Sequence, residues 1–551
     1  MTVAKCMPPH REYRHTMLLD ALFINGRIRT GNPLRPTTGS LGVHQGRIVS
    51  MGAGSHGMRA ARVIDLDGAH VVPGFHDAHF HLSGLGQMLQ HCDLTPSVAP
   101  TLDALYRRIR SFAADHPESA WIIGEGFDSA RMGGVPHRRE LDAVTDGRPT
   151  WLIHASHHAG VMNSAAMAAI GYEDSRELPD IDGGVVGRDA DGQADGYLAE
   201  RAMRLITDVI RPGSRDAFVE AIGLGSDAAL AMGITSVTEP GISGALTGNG
   251  PHDYADFERA LHVGRLRVRA TLMPEYAAVK AGLDRERCAP HADRLKLGPV
   301  KIFADGAISG RTAALRCAYA HPSDAGRGGM LVDAGDLRNA AIELHGQGWR
   351  IATHAIGDLA VDHVLDAYAA AMAAYPRDDP RHRIEHAAML DDRQITRLRE
   401  LGITPVPQAS FVTEFGDAYL DALGPARANL LYRQRSLLEA GIVVPGSSDC
   451  PVVPGAPLLG IQALVTRATV GGAVLNADER ISVDQALRNY TFGSAFADHA
   501  EQSKGTLEPG KLADFAVISH DLVAAPAERI GAIQVLGTVV GGEVVFGDLG
   551  A

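Results

Sequence analysis

Aromatic side chains are scarce, at 5% of the chain, so stacking on a large ring system is not advertised by composition. Cysteine is scarcer still. The five residues (Cys6, Cys92, Cys288, Cys317 and Cys450) are scattered, odd in number and without a CxxC pair, which excludes a disulfide framework and a cysteine zinc knuckle. That usage fits a reducing compartment, and a cytoplasmic protein is the expectation. Long hydrophobic runs are also missing: the longest uncharged apolar stretch, 451–466, contains three prolines and ends at Arg467, short of the roughly 20 residues of a membrane span. At the N-terminus Asp20 interrupts the apolar patch and no small-residue cleavage site follows, so an unprocessed soluble start is expected. Basic residues are in deficit, 52 against 65 acidic for a net charge of −13, which argues against nucleic acid or an anionic membrane as partner.

The 551 residues suffice for three or four domains of roughly 150 residues, or for one large barrel with additions. With 45% hydrophobic and 21% charged residues the composition is globular, which excludes disordered, collagen-like and coiled-coil chains. Gly (62) and Pro (29) predict many tight turns. Histidine stands out at 25 residues, a reason to look for a metal site.

Both ends of the chain read as β-structure. ALFINGRIRT, GVHQGRIVSMG and RVIDLDGAHVVPG are short β-rich runs closed by Asn-Gly, Gln-Gly and Asp-Gly turns, and GKLADFAVISH and IQVLGTVVGGEVVFG answer them at the C-terminus. Residues 1–72 and 505–551 are therefore expected to pair into one composite β domain, a small β-sandwich. Between them lie eight short apolar runs, at 71–81, 233–240, 267–274, 299–306, 349–356, 381–389, 403–410 and 441–450. Segments with apolar positions three and four apart, such as LRNAAIELHGQG and LDDRQITRLRELG, alternate with them. Strand then helix, eight times, predicts an α/β fold of the (β/α)8 TIM-barrel type over 73–504. The first interval is far too long for one crossover, so an inserted subdomain at about 95–225 is expected after the first strand.

The polar residues on these runs share one end. His79 and His81 are two apart, so on a strand both point to the same face and can grip one ion. Lys301 lies on the fourth run, His354 on the fifth, His386 on the sixth and Asp449 on the eighth. A polar residue in a buried strand is costly unless paired or bound, so their common placement points to a site.

VVPGFHDAHFHL, VKIFADG, THAIGD, RIEHA and GSSDCPV resemble the signature segments of the amidohydrolase superfamily of metal-dependent hydrolases. WIIGEGFD, HAGVMN, DGAISGRTAAL and KGTLEPGKLADFAVI resemble one branch, amidohydrolase family 3, which holds YtcJ-like proteins and N-substituted formamide deformylases. The resemblance implies a TIM barrel with a β-sandwich built from both termini. It also implies metal ligands at His79, His81, Lys301, His354, His386 and Asp449.

In that family the fourth-strand lysine is often carboxylated to bridge two metals. A free ammonium has no lone pair and cannot ligate, so CO2-derived carboxylation of Lys301 would mean a binuclear site, whereas an ion pair of Lys301 with Asp305 or Asp449 would mean one ion. Zinc is the default metal for imidazole and carboxylate donors, with manganese, iron and cobalt as alternatives. The mechanism that follows is attack by a metal-activated hydroxide on a non-peptide C–N bond, with Asp449 as both ligand and base; capping of the following segment is the alternative for Asp449.

His158, Asn163, Ser309 and Arg311 are candidate substrate contacts, with a structural role equally open for the first two. Asp358, four after His354, is read as orienting a ligand histidine, or else capping a helix. A small-molecule substrate is expected, and a homodimer is left open. Rival readings are a mononuclear deaminase, a cyclic amide hydrolase, and a non-catalytic barrel scaffold. The deaminase loses weight because the residues after His354 read AIGD, without the glutamate three places on; the scaffold would be marked by a lost ligand, and none is missing.

Overall fold

Runs of β-branched and other apolar residues bounded by Gly and Pro become strands covered on both faces, as parallel sheets require. In the computed structural model residues 18–549 are described, apart from 56, 156–158, 183, 211–213, 245–246, 284, 286–287, 289, 292 and 321–325. Strands β1 (Phe75–Asp77), β2 (Ile234–Ile242) and β3 (Arg269–Pro274) pair in parallel and continue to a short strand, Leu295–Leu297. Strands β4 (Val300–Phe303), β5 (Ile351–Ala355), β6 (Arg383–His386) and β7 (Thr404–Val406) form a second parallel ladder. A bridge between Glu275 and Lys301 joins the two halves.

The eighth run departs from the expectation. Residues 441–450 form no regular strand, because Pro445 lacks an N–H and Asp449 is left-handed at φ 65°. They still close the ring by single hydrogen bonds: Ala78 N donates to Gly446 O (3.0 Å), Ala409 N to Ser447 O (3.2 Å) and Asp449 N to His79 O (2.8 Å).

Helices α1 (Leu82–Gln90) and α2 (Arg215–Ala231) flank β1 and β2. They approach so closely that a Cβ on Gly86 would lie 1.7 Å from Ala221 O, and one on Gly225 would lie 2.1 Å from Leu82 O. Only glycine fits either position. Helices α3 (Ala334–Gly346), α4 (Asp358–Ala374), α5 (Asp392–Glu400) and α6 (Gln434–Glu439) arise from the other periodic segments, and α5 starts with a reciprocal Asp391/Gln394 capping box.

Two further β regions flank this ring. A six-stranded sheet runs in the order Gly184–Arg188, Ala194–Glu200, Ala159–Met162, Thr150–His154, Ile122–Phe127, Cys92–Asp93. It begins at Cys92, and α2 packs on α1 within the buried cluster of the barrel strands. N-terminal strands form a four-stranded sheet and strands from both termini form a six-stranded one, and the two share one buried cluster. In that cluster Phe23 meets Phe515 edge-to-face at 4.9 Å.

One buried ion pair ties the C-terminal strands to the barrel. Arg269 on β3 donates from Nε (2.6 Å) and Nη2 (2.9 Å) to the two oxygens of Asp514, and both side chains are under 7% exposed. Against the upward push of burial, Arg269 holds the Asp514 carboxyl below its ordinary value. Removing one partner of a buried pair leaves a bare charge. Asp514→Asn is therefore expected to lower stability near pH 7 by about 3–5 kcal/mol. The deficit should shrink as pH falls below about 4, because a carboxylate with a lowered folded pKa stabilises only while ionised. Urea unfolding of both proteins across this range checks it; an equal deficit at all pH values would contradict the charge argument.

Candidate metal centre

Side chains at the C-terminal ends of the barrel strands converge on Asp449. His79 Nε2 lies 3.3 Å and His81 Nε2 3.1 Å from Asp449 Oδ1, and one donor atom each of His79, His386 and Asp449 lies within 4.8 Å of the other two. All three of the latter are buried. The irregular eighth run makes this possible: with Asp449 N on His79 O and His81 N on Cys450 O (2.8 Å), the carboxylate sits between the two rings. Asp449 (φ 65°), His386 (φ 70°) and Ala387 (φ 41°) all hold left-handed backbone, local strain concentrated at the site.

Hydrogen bonds on the far side of each ring set its tautomer. His79 Nδ1 lies 2.5 Å from Glu385 Oε2, while Arg383 grips Glu385 through Nε (2.7 Å) and Nη2 (2.8 Å). Against the upward push of burial, the Arg383 guanidinium and then the His79 ring hold the Glu385 carboxyl well below its usual range, so it accepts the Nδ1–H of His79. His386 Nδ1 lies 2.6 Å from Gln408 Oε1, and Gln408 Nε2 is spent on Val406 O (3.1 Å) and Ser447 Oγ (3.3 Å). Gln408 therefore offers its oxygen, and the Nε2 lone pair of His386 is left for the centre. His354 Nε2 faces the Gly306 carbonyl (3.1 Å), which can only accept, so Nδ1 is the atom it can offer a metal.

Burial drives the remaining electrostatics. It pushes His354 down to about 3, with the Lys301 charge adding to it, and His386 well below the usual range, so both rings are neutral and keep a lone pair at physiological pH. Burial pushes Asp449 up, but His79 and His81 outweigh it and hold the carboxyl well below the ordinary value. Imidazole nitrogens of His79 and His386 and a carboxylate oxygen of Asp449 thus converge on one point, where a cation would be held by all three. The donor set therefore fits a divalent metal of the imidazole and carboxylate type.

Lys301 is buried beside this group, with Nζ 4.8 Å above the Phe303 ring, and burial lowers it to about 8. It forms no ion pair with Asp305 or Asp449, contrary to the pairing alternative. Asp305 is occupied by the backbone N–H groups of Ala314, Ile356 and Gly357, because the chain turns around it after β4 and β5.

Several sequence candidates lie elsewhere. Asn163 is not a pocket donor: it is fully buried, caps the helix Ser164–Ala169 by accepting from Ala166 N, accepts from Thr150 N, and donates to Thr145 Oγ1 and Arg148 O. Asp358 does not orient His354; it opens α4 and accepts from Arg316 N (2.9 Å), and the neighbours of the His354 ring nitrogen are Gly306 O and Asp305. Arg311 is engaged by Asp421 (2.7 Å) and presents no bare cation, while Ser309 is exposed in the same loop. His158 lies outside the described residues.

Other residues of the centre carried no assigned role in the sequence. Glu385, Arg383 and Gln408 hold the ligand rings, and their only signal is charge or amide on a strand whose neighbours are apolar. Glu239, at the end of β2, accepts from Leu82 N (2.5 Å), Ser83 N (3.2 Å) and Ser83 Oγ (2.7 Å), pinning the chain just after His81. Asp77 accepts from His79 N (3.0 Å) and Ser448 N (3.2 Å), coupling β1 to the eighth run. Burial raises both carboxyls to about 7.

Comparison with known proteins places this geometry. The chain is 32% identical to the putative amidohydrolase YtcJ of Bacillus subtilis (strain 168), over 89% of this chain and 92% of that protein. It is 30% identical to the N-substituted formamide deformylase of Arthrobacter pascens, over 96% of this chain and 98% of that protein. A crystal structure of an uncharacterized metal-dependent hydrolase from Pyrococcus horikoshii OT3 superposes with a TM-score of 0.75 at 26% identity, covering 92% of this chain and 99% of that one. With the family model matching residues 62–546, the chain belongs to the amidohydrolase family.

Proposed function

We propose that this protein is a metal-dependent hydrolase that cleaves a non-peptide C–N bond of the amide or formamide type, giving a carboxylic acid and an amine from amide and water. The observation that carries the reading is the buried convergence of His79, His386 and Asp449, with His81 on the same carboxylate oxygen. One divalent ion fits these four; His354, whose ring centroid is 4.4 Å from that of His386, together with a carboxylated Lys301 would complete a second position. Zinc is the default. When bound, the ion acidifies a water toward about pH 7 and polarises the substrate carbonyl.

The chain's own residues supply the rest. Asp449, held ionised, takes the water proton on a carboxylate oxygen and hands it to the leaving nitrogen. Glu385 and Gln408 fix the ring orientations of His79 and His386. Ser309, in the exposed loop after β4, is read as a contact to the small-molecule substrate. An N-substituted formamide is the specific substrate proposed, supported by the likeness to the Arthrobacter pascens enzyme. A composite β-sandwich of residues 1–72 and 505–551, a barrel over 73–504 with an inserted subdomain, and a cytoplasmic location belong to the same reading. The shared cluster of the terminal strands supports the first of these, and no helix of the described residues is long and apolar enough to cross a membrane.

Protein purified without chelator should carry about one divalent ion per chain, or about two if Lys301 is carboxylated; elemental analysis finding under about 0.2 would overturn the proposal. Asp449→Asn, in preparations shown to retain metal, should lose about 10²–10⁴-fold in kcat on whichever member of a panel of formamides, N-acyl amino acids and lactams is turned over. Full turnover in that variant would remove Asp449 as the base. Glu385→Gln should weaken metal binding about 10–100-fold in a competitive chelator titration, whereas unchanged affinity would show that the His79 tautomer needs no carboxylate.

A further inference from the structure

Away from the metal centre, a cavity of about 540 Å³ opens where the strand Arg27–Arg29 and its following loop meet helix α7 (Val483–Arg488) and the π-turn Asn489–Gly493. Its volume is that of a site for a small organic molecule, roughly 300–1,000 Å³. Pro33, Pro73 and Phe492 give it apolar walls, and two guanidinium groups and one carboxylate, Asp484, line it. Arg488 stacks 3.9 Å above the centroid of the Phe492 ring and pairs with no carboxylate among the described residues. Arg29 spends Nη2 on Asp521 (3.1 Å) and is ion-paired through Nη1 with Asp484 at 3.8 Å, a separation that leaves the Nη1 hydrogens without a hydrogen bond to it.

The neighbouring polar groups are already used. Asn32 donates to Glu508 and accepts from Leu34 N, and the Thr491 hydroxyl donates to Leu487 O. What the cavity offers is thus the Arg488 guanidinium, without a carboxylate partner among the described residues, and the Nη1 of Arg29, which makes no hydrogen bond, above an apolar floor and beside the Asp484 carboxylate. Guanidinium pairs favour a planar carboxylate, and the floor favours a hydrocarbon body.

We propose that this cavity is an effector site for an organic carboxylate with an apolar body, its carboxylate between Arg29 and Arg488 and its apolar part against Phe492, Pro33 and Pro73. The π-turn links it to the metal centre. Asn489 O accepts from Gly446 N (2.8 Å) and the Tyr490 hydroxyl donates to Ser447 O (3.1 Å), so the other side of the turn seats the run that ends at Asp449. A ligand that steadies the turn steadies that run.

The test is calorimetric titration of the full-length, metal-loaded protein with 4-phenylbutyrate, with its neutral alcohol 4-phenylbutan-1-ol, and with inorganic phosphate. One saturable site for 4-phenylbutyrate is expected, with the alcohol and phosphate each weaker by about tenfold or more. Arg488→Gln should weaken 4-phenylbutyrate by a similar factor; Arg488 is exposed, so this variant folds, whereas Arg29→Gln would also break the pair with Asp521. Binding should survive in Asp449→Asn, and hydrogen exchange at residues 446–448 should slow when the carboxylate is bound. Absence of saturable binding, equal binding of the alcohol or phosphate, or indifference to Arg488→Gln overturns the site. Loss of binding in Asp449→Asn assigns the carboxylate to the metal centre instead, and unchanged exchange at 446–448 overturns the link to it.

Discussion

Glu385 lies in the barrel interior as an ionised carboxylate, and the architecture of the centre depends on the means by which that charge is tolerated. Burial alone would protonate it. The two-point grip of Arg383, two residues earlier on the same strand face, keeps it ionised, and Arg383 also donates to Ala78 O (2.7 Å) on the chain leading to His79. An ionised Glu385 can only accept, so His79 must present Nδ1–H to it and turn Nε2 toward Asp449. The buried ion pair thereby acts as a positioning device, which is a better account of its presence than stability, since buried pairs seldom repay their desolvation.

A second constraint is the closure of the ring. A regular eighth strand would project alternate side chains in and out, and could not place Asp449 at 3.1–3.3 Å from two histidines of the facing run. Pro445 and the left-handed residue Asp449 break the ladder, and backbone hydrogen bonds to Ala78, His79, His81, Ala409 and Asn489 hold the broken segment in its place. Asp77, Tyr490 and Ser494 support it from below: Asp77 accepts from Ser448 N, Tyr490 donates to Ser447 O and Ser494 donates to Gly446 O. Strain at Asp449 and His386 is thus absorbed by neighbours that have no chemistry of their own.

Much of this was legible in the residues because hydrophobic periodicity is local. The runs at 233–240, 267–274 and 349–356 each contain a barrel strand, and the segments between them hold helices at the expected spacing. What could not be read were pairings that join distant positions. Asn163 looked like a pocket donor because Asn is polar, yet its four hydrogen bonds all go to its own helix, the adjacent strand and the turn that precedes that strand. Asp358 sits one helical turn from His354 in sequence, but β5 ends between them and the side chain turns to Arg316. Gln408 and Glu385 appear as unremarkable polar residues until the barrel brings the end of β7 beside the eighth run and turns Glu385 of β6 toward His79, just after β1.

By itself, then, the sequence determined which apolar runs carry the barrel strands, that histidine, carboxylate and lysine lie on or just after those runs, and that both termini are β-rich, whereas Lys301 falls near the start of β4 and Asp449 on no strand. These follow from residue type and spacing alone. The tertiary structure decided which atom of each ring is free, that Lys301 rests on Phe303 with no ion pair to a carboxylate among the described residues, and that Arg311 is paired with Asp421. The physical reason is that tautomer, ionisation and reach are set by neighbours tens to hundreds of positions away, and burial raises the cost of leaving any of them unmatched.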